Sequence, residues 1–315
     1  MSRVNTERPI KVGFLMNTIE NGMDGETPRW ADIERMAKTA EEVGFDSIWI
    51  GDRLLVDDGD SAVGMWESIP FLGALAAVTS RIEIGTLVIR SIYRNPALVA
   101  KIADAVDEIS GGRFTLGFGA GSDAGENDRF GWPEDHPIGR LEEATAIVHG
   151  LLHKGRLDYE GKYYRVHDCE LRPRGPRPEG PPLMLAARGP RARKLTARYA
   201  DIWNRYLIYD KDNLAEIEQY QKEMDEACAA EGRDPATLLR TAFLMADVTE
   251  GGGDALMSRM KMYAGAPLSG GPEAMASALR TLASLGFSEV QVWPIPNSRE
   301  GVEKFAPVLE ILDRG

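Results

Sequence analysis

Short apolar runs alternate along the chain with longer stretches in which apolar residues recur three and four positions apart. The first run is Val12-Gly13-Phe14-Leu15-Met16. After it, Trp30, Ile33, Ala37, Ala40 and Val43 form a stripe at helical spacing. Thr27 is placed to cap that helix with Pro28 at its first position, and Gly44 to end it in the left-handed conformation that suits glycine. The alternation continues: a strand at Ser47–Ile50, a helix over roughly 67–78, a strand over 82–88. Asn95-Pro96 opens a helix with the stripe Leu98, Ile102, Val106 and Ile109, Gly111-Gly112 stops it, and a fourth strand covers 114–118. Further strands are expected at 183–186, 201–204, 241–248 and 290–293, with helices near 190–199, 213–231, 272–285 and 301–312.

Repeated strand–helix units point to a parallel sheet, either open and doubly wound or closed. Eight units favour closure, so the expected fold is an α/β (β/α)8 TIM barrel, one domain over residues 1–315. Two stretches break the rhythm. Residues 155–182 read as an excursion between helix four and strand five, with a small hairpin turning at Glu160-Gly161 and then a proline-rich run from Arg172 to Pro182. Residues 250–271 read as an irregular loop at the catalytic end of the barrel, placed to shape a substrate site.

Composition narrows the function classes. A net charge of -12 argues against a nucleic-acid surface, and two cysteines, Cys169 and Cys228, exclude a disulfide framework or a cysteine-built metal site. The polar start and the absence of a long apolar run indicate a cytoplasmic protein with no membrane partner. Gly117-Phe118-Gly119-Ala120-Gly121 follows a strand but fails the dinucleotide fingerprint, since Ser122 stands at its third glycine; it reads instead as a close backbone approach. His149 and His153 lie four apart on a helix without the glutamate of a zinc-protease motif, so no metal is expected. Asp52, closing the second strand, is the candidate catalytic residue, with Arg53 its expected ion partner and an ordinary surface pair the alternative. Ala186-Ala187-Arg188-Gly189-Pro190 leads a strand into a helix start, where free N–H groups suit an anion; Arg188 and Arg191 would add charge-assisted bonds, and Arg193 and Arg198 a solvated face.

Several segments together resemble the luciferase-like monooxygenase superfamily: 40–49 (AEEVGFDSIW), 81–86 (RIEIGT), 94–101 (RNPALVAK), 109–119 (ISGGRFTLGFG) and 197–201 (ARYAD). The resemblance implies a (β/α)8 barrel, often dimeric, binding FMN or the deazaflavin F420 at the C-terminal face. The loop at 186–190 and the run from Gly85 to Pro96 are similar to the F420-dependent branch, which implies a non-proline cis peptide at Leu87-Val88 behind the deazaflavin. Two positions depart from that branch. Arg53 replaces a histidine and Ser122 a glutamate, so its catalytic acid does not carry over; Asp123, Glu126, His136 and Tyr206 are the substitutes on offer.

The expected function is hydride transfer between F420 and a small organic substrate. The alternatives are an FMN-dependent monooxygenase fed by a flavin reductase and a non-catalytic flavin-binding barrel. The expected cofactor contacts are Thr86, Leu87, Val88, Gly119, Ala120, Ala187, Arg188, Gly189, Pro190 and Arg191, and the expected substrate pocket is Trp66, Tyr93, Tyr206 and Trp293, in a homodimer.

Overall fold

The computed structural model describes residues 8–23, 25–57, 62–121, 124–212, 214–249 and 266–314. Its eight main strands are β1 (Lys11–Met16), β2 (Ser47–Ile50), β3 (Glu83–Thr86), β4 (Phe114–Gly119), β5 (Leu183–Ala186), β6 (Ile202–Tyr206), β7 (Leu239–Asp247) and β8 (Glu289–Ile295). Each pairs in parallel with the next, and β8 returns to β1 through the register Val12↔Val290. The sheet is therefore a closed barrel, and the open doubly wound alternative falls away. Among the described residues, eight longer helices surround it, α1 (Trp30–Val43), α2 (Ser68–Val78), α3 (Pro96–Ser110), α4 (Pro137–Lys154), α5 (Pro190–Tyr199), α6 (Ala215–Ala230), α7 (Pro272–Ser284) and α8 (Arg299–Asp313), and a short helix, Ala124–Phe130, follows β4.

Local signals place most of the boundaries. Gly44 ends α1 at φ 98°, the Asn95 side chain caps α3 ahead of Pro96, and Gly111 closes α3 at φ 67°. The start of α1 differs from expectation. Arg29 is the N-cap and Trp30 the first helical residue, because the Asp32 carboxylate accepts the Arg29 N–H at 3.0 Å; Thr27 instead accepts the N–H of Asn21. The third strand also differs: its ladder stops at Thr86, the Leu87-Val88 peptide is cis as expected, and Ile89–Arg90 pairs separately with β4. Asp201 is not part of β6. Its carboxylate accepts the Leu183 N–H at 2.8 Å, and β6 runs on to Tyr206.

Between α4 and β5 stands an antiparallel hairpin, Arg156–Glu160 with Arg165–Glu170, turning where Gly161 N–H meets the Tyr164 carbonyl. The proline-rich run after it is bolted to α3 by two ion pairs, Arg174 with Asp104 and Arg177 with Asp107, both carboxylates being buried. Most of the expected 250–271 loop, residues 250–265, lies outside the described residues.

One apolar layer fills the space between barrel and helices, and a second fills the lumen: Leu15, Trp49, Met184, Phe243, Met245 and Trp293. At the N-terminal end of the lumen, Glu289 accepts hydrogen bonds from Ser47 Oγ and from Trp49 Nε1 at 2.9 Å. Gly13 makes room for this group; a Cβ there would lie 2.4 Å from Ser47 Oγ and 2.8 Å from Glu289 Oε1. Gly85 likewise makes room for the Trp49 ring.

Candidate active site

Parallel closure brings the ends of all eight strands to one mouth, where side chains from distant segments meet. Asp52 follows β2 and is 1% exposed. One of its oxygens accepts Ser68 Oγ at 2.6 Å and Arg94 Nη2 at 2.9 Å; the other accepts the Arg90 backbone N–H at 3.0 Å and Arg94 Nη1 at 2.7 Å. Its ion partner is thus Arg94, not Arg53. The forked geometry of the guanidinium explains the choice, since a carboxylate takes two parallel bonds from one arginine. Arg94 also bonds Glu67.

Arg53 points toward Glu126, with Nε 3.8 Å from Oε2. Glu126 is buried and accepts from the N–H groups of Leu54 and Leu55 and from Arg90 Nη1 at 2.7 Å; Arg90 also bonds Tyr93 Oη. Three arginines (Arg53, Arg90, Arg94) therefore face three carboxylates (Asp52, Glu67, Glu126), and this side of the mouth is electrically balanced. Tyr93 stacks on Trp132 at 3.8 Å, and Trp132 on Phe130 at 4.9 Å. Burial pushes the Tyr93 hydroxyl pKa up, so the phenol stays neutral.

The opposite side is unbalanced. Helix α5 begins at Pro190 with Gly189 as N-cap and no side-chain cap on its first N–H groups. Arg188 is exposed beside it. Arg191 does not reach toward this end; its guanidinium clamps Glu142 of α4 at 2.6 and 3.1 Å, because that carboxylate offers two oxygens to the fork. Arg193 is not a solvated residue either: it bonds the Arg188 carbonyl at 2.6 Å and pairs with Glu223 at 2.9 Å. Arg198 pairs with Glu231 at the surface. Arg205, at the end of β6, lies over the Tyr220 ring at 3.2 Å. Burial first, then the nearby charge of Arg188, with Arg193 adding, outweighs Glu223 and Glu216 and depresses its pKa to about 10. Sequence reading missed Arg205 because the sixth strand reads as ending at Asn204.

The remaining expected residues divide between the lumen and elsewhere. Leu87, Val88 and Tyr206 pack on the lumen cluster that holds Trp293, the Tyr206 ring 5.5 Å from Phe243. Gly119 lets Val88 sit there, since a Cβ would lie 2.7 Å from Val88 Cγ2. Thr86 is committed to the fold, its hydroxyl donating to the Gly117 carbonyl and accepting the Gly117 N–H. Ala187 is buried, its carbonyl taken by Trp203 Nε1, and Ala120 packs on the outer core. Trp66 is not a lumen residue; it is 39% exposed, bonds the Pro28 carbonyl and stacks on Phe71 of α2. His136 lies exposed at the start of α4, against Tyr163 of the hairpin. Ser122 and Asp123 lie outside the described residues. His149 and His153 stack at 3.9 Å, and burial, with His153 adding, lowers the His149 pKa to about 4. No helix among the described residues is long and apolar enough to cross a membrane.

Comparison with known proteins agrees with this architecture. A solved F420-dependent secondary alcohol dehydrogenase superposes with a TM-score of 0.78 over 96% of this chain and 99% of the other, at 19% identity. Over 61% of its length the chain is 32% identical to an F420-dependent glucose-6-phosphate dehydrogenase of Amycolatopsis mediterranei, covering 56% of that protein. It is 32% identical over 55% of its length to a pyrimidine monooxygenase of a Caulobacter species, covering 50% of that protein. The chain thus spans about half the length of these curated relatives. The family model for luciferase-like monooxygenases matches residues 10–285, from the first strand into the turn before the last, and on that match the chain belongs to the luciferase-like monooxygenase family.

Proposed function

We propose that this chain is an F420-dependent oxidoreductase that moves hydride between the deazaflavin and a small organic substrate. The observation that carries the reading is the pairing, at one barrel mouth, of an apolar ledge with a cationic helix start. Leu87 and Val88 form the ledge over the lumen; Arg188, Arg205 and the uncapped N–H groups of α5 form the cationic end. A flat ring with an anionic tail fits both. An added Cβ at Gly189 would meet nothing within 4 Å, so the backbone is open to a phosphate. When bound, F420 supplies a carbon that gives or takes hydride. The protein would hold the ring on Leu87 and Val88, keep water from it with the lumen side chains, and hold the phosphate at Arg188 and the Gly189–Arg191 backbone. Tyr206, its hydroxyl pKa pushed up by burial, would hold the substrate's proton.

An FMN-dependent monooxygenase served by a flavin reductase is the second reading, favoured by the similarity to the pyrimidine monooxygenase. Equilibrium titration with both cofactors separates the two. F420 should bind at least about tenfold more tightly than FMN; tighter FMN binding with oxygen uptake would replace the proposal. A homodimer belongs to the same reading. Helix α2 is apolar on nearly every side, and beside it Leu98 and Ile109 of α3 are each 52% exposed, a continuous face suited to a second copy. Sedimentation giving only the 34.6 kDa monomer would remove it.

A further inference from the structure

The lumen-facing side of β8 presents Glu289, Gln291, Trp293 and Ile295 in alternation. The polar groups on this face differ in how they are satisfied. Glu289 is held by Ser47 and Trp49. Gln291 accepts Asn204 Nδ2 at 2.8 Å while its own Nε2 has no partner among the described residues. An amide can turn over and exchange its two ends, so that orphan is no firm pointer to a ligand. Trp293 is different. Its indole N–H can only donate, the residue is 4% exposed, and Nε1 has no acceptor among the described residues. The other lumen tryptophan makes the contrast plain, because Trp49 Nε1 bonds both Ser47 Oγ and Glu289 Oε1. A buried indole N–H ordinarily finds a partner.

Trp293 stands toward the C-terminal end of its strand, level with Met245 in the β7–β8 register. The residues packed with it, Leu15, Phe243 and Met245, are apolar, and Leu87, Val88 and Tyr206 complete the same cluster. Across the mouth, both Asp52 oxygens, the Glu126 carboxylate and the Tyr93 hydroxyl have protein partners. An apolar wall around an indole donor that has no acceptor among the described residues suits a molecule that is mostly hydrocarbon and carries one neutral acceptor oxygen.

We propose that the indole N–H of Trp293 donates to a carbonyl or hydroxyl oxygen of a neutral, largely apolar substrate, and that this bond, with the apolar wall around it, sets the substrate class. The inference rests on the oxidoreductase reading for the word substrate, but the binding it describes can be measured without turnover. It also separates this chain from a protein that takes a sugar phosphate, whose dianion would need cations where this chamber has hydrocarbon.

The test is NMR of the full chain labelled with 15N at the indole nitrogens, with and without F420. The probes are cyclohexanone, its oxygen-free isostere methylenecyclohexane, and glucose 6-phosphate. The chain has six tryptophans, and the resonance missing in Trp293→Phe is that of Trp293. If that variant does not fold, phenylalanine replacements at the other five assign it by elimination. Cyclohexanone should move this resonance downfield, and the isostere and the sugar phosphate should leave it in place. Trp293→Phe should weaken cyclohexanone binding by about five- to tenfold without changing F420 affinity. A resonance that ignores the ketone, follows ketone and isostere alike, or answers to glucose 6-phosphate would overturn the proposal. Failure of the wild-type protein to bind F420, with the ketone response intact, would instead remove the cofactor reading and leave the Trp293 donor standing.

Discussion

A carboxylate at the end of a barrel strand serves chemistry through a lone pair that the protein leaves open. Asp52 leaves none: its two oxygens accept four hydrogen bonds, from Ser68, Arg94 twice and the Arg90 backbone. The residue ties the exit of β2 to the backbone that follows the Leu87-Val88 ledge, so it positions the site. Asp52→Ala is therefore expected to act on the fold. Removing one partner of a buried pair costs about 3–5 kcal/mol where the other charge is left alone, and Arg94 keeps Glu67, so the loss here lies toward the low end of that range. Thermal unfolding of Asp52→Ala should begin on the order of 5–10 °C lower, and Asp52→Asn, which keeps the shape and one acceptor oxygen, should lose less. A melting temperature equal to wild type together with lost turnover would return Asp52 to a chemical role. Nothing local to Asp52-Arg53 could disclose Arg94, which lies 42 positions away and arrives through the β3 exit.

At the scale of the element, the strand-to-helix unit from Leu183 to Tyr199 was legible in outline. Small residues end the strand, and Pro190 opens the helix as its missing N–H permits. The guanidiniums were not legible, because each answers to another element: Arg191 to Glu142, 49 positions upstream, and Arg193 to Glu223. What remains for an anion is the helix start, Arg188 and Arg205. Arg188→Glu reverses the exposed charge and gives Arg205 a carboxylate neighbour in place of a like charge. F420 affinity in an equilibrium titration should then fall by at least about tenfold, with the larger loss at low salt, where exposed charges act over a longer range. Equal affinity at low salt would move the phosphate away from α5.

The whole molecule adds a feature that belongs to no single element, the acid at the floor of the lumen. Burial pushes the Glu289 pKa up from its ordinary 4.5, against the hydrogen bonds from Ser47 and Trp49. The folded state therefore holds this proton at pH values where the unfolded chain has released it. Stability from the group is complete below the unfolded pKa and declines as pH rises from there through the raised folded value. Glu289→Gln keeps the acceptor for Ser47 and Trp49 and cannot ionise. Its melting temperature should fall less than the wild type's between pH 5 and pH 8, measured by calorimetry in matched buffers. Parallel curves would show that Glu289 does not titrate in that window. Gly13 and Gly85 belong to the same scale: each is glycine because a side chain arriving from another strand occupies the space of its Cβ.

Local periodicity and chain punctuation were enough to establish eight strand–helix units in order and most of their ends, while the family was legible only through the resemblance of whole segments such as 40–49 and 109–119. Gly44, Asn95-Pro96 and Gly111 act on their own neighbours within a few residues, so their effect is written where they stand. The α1 start shows the limit of that rule, since Asp32 won a competition among nearby caps that composition alone does not rank. Which side chains meet at the mouth was decided only by closure of the barrel. Closure brought Glu126 to Arg90, Arg205 into the field of Arg188, and an unpartnered Trp293 among Leu15, Phe243 and Met245. Such meetings depend on which strands become neighbours and on how far each side chain reaches across the lumen, and neither quantity is carried by any one segment of the sequence.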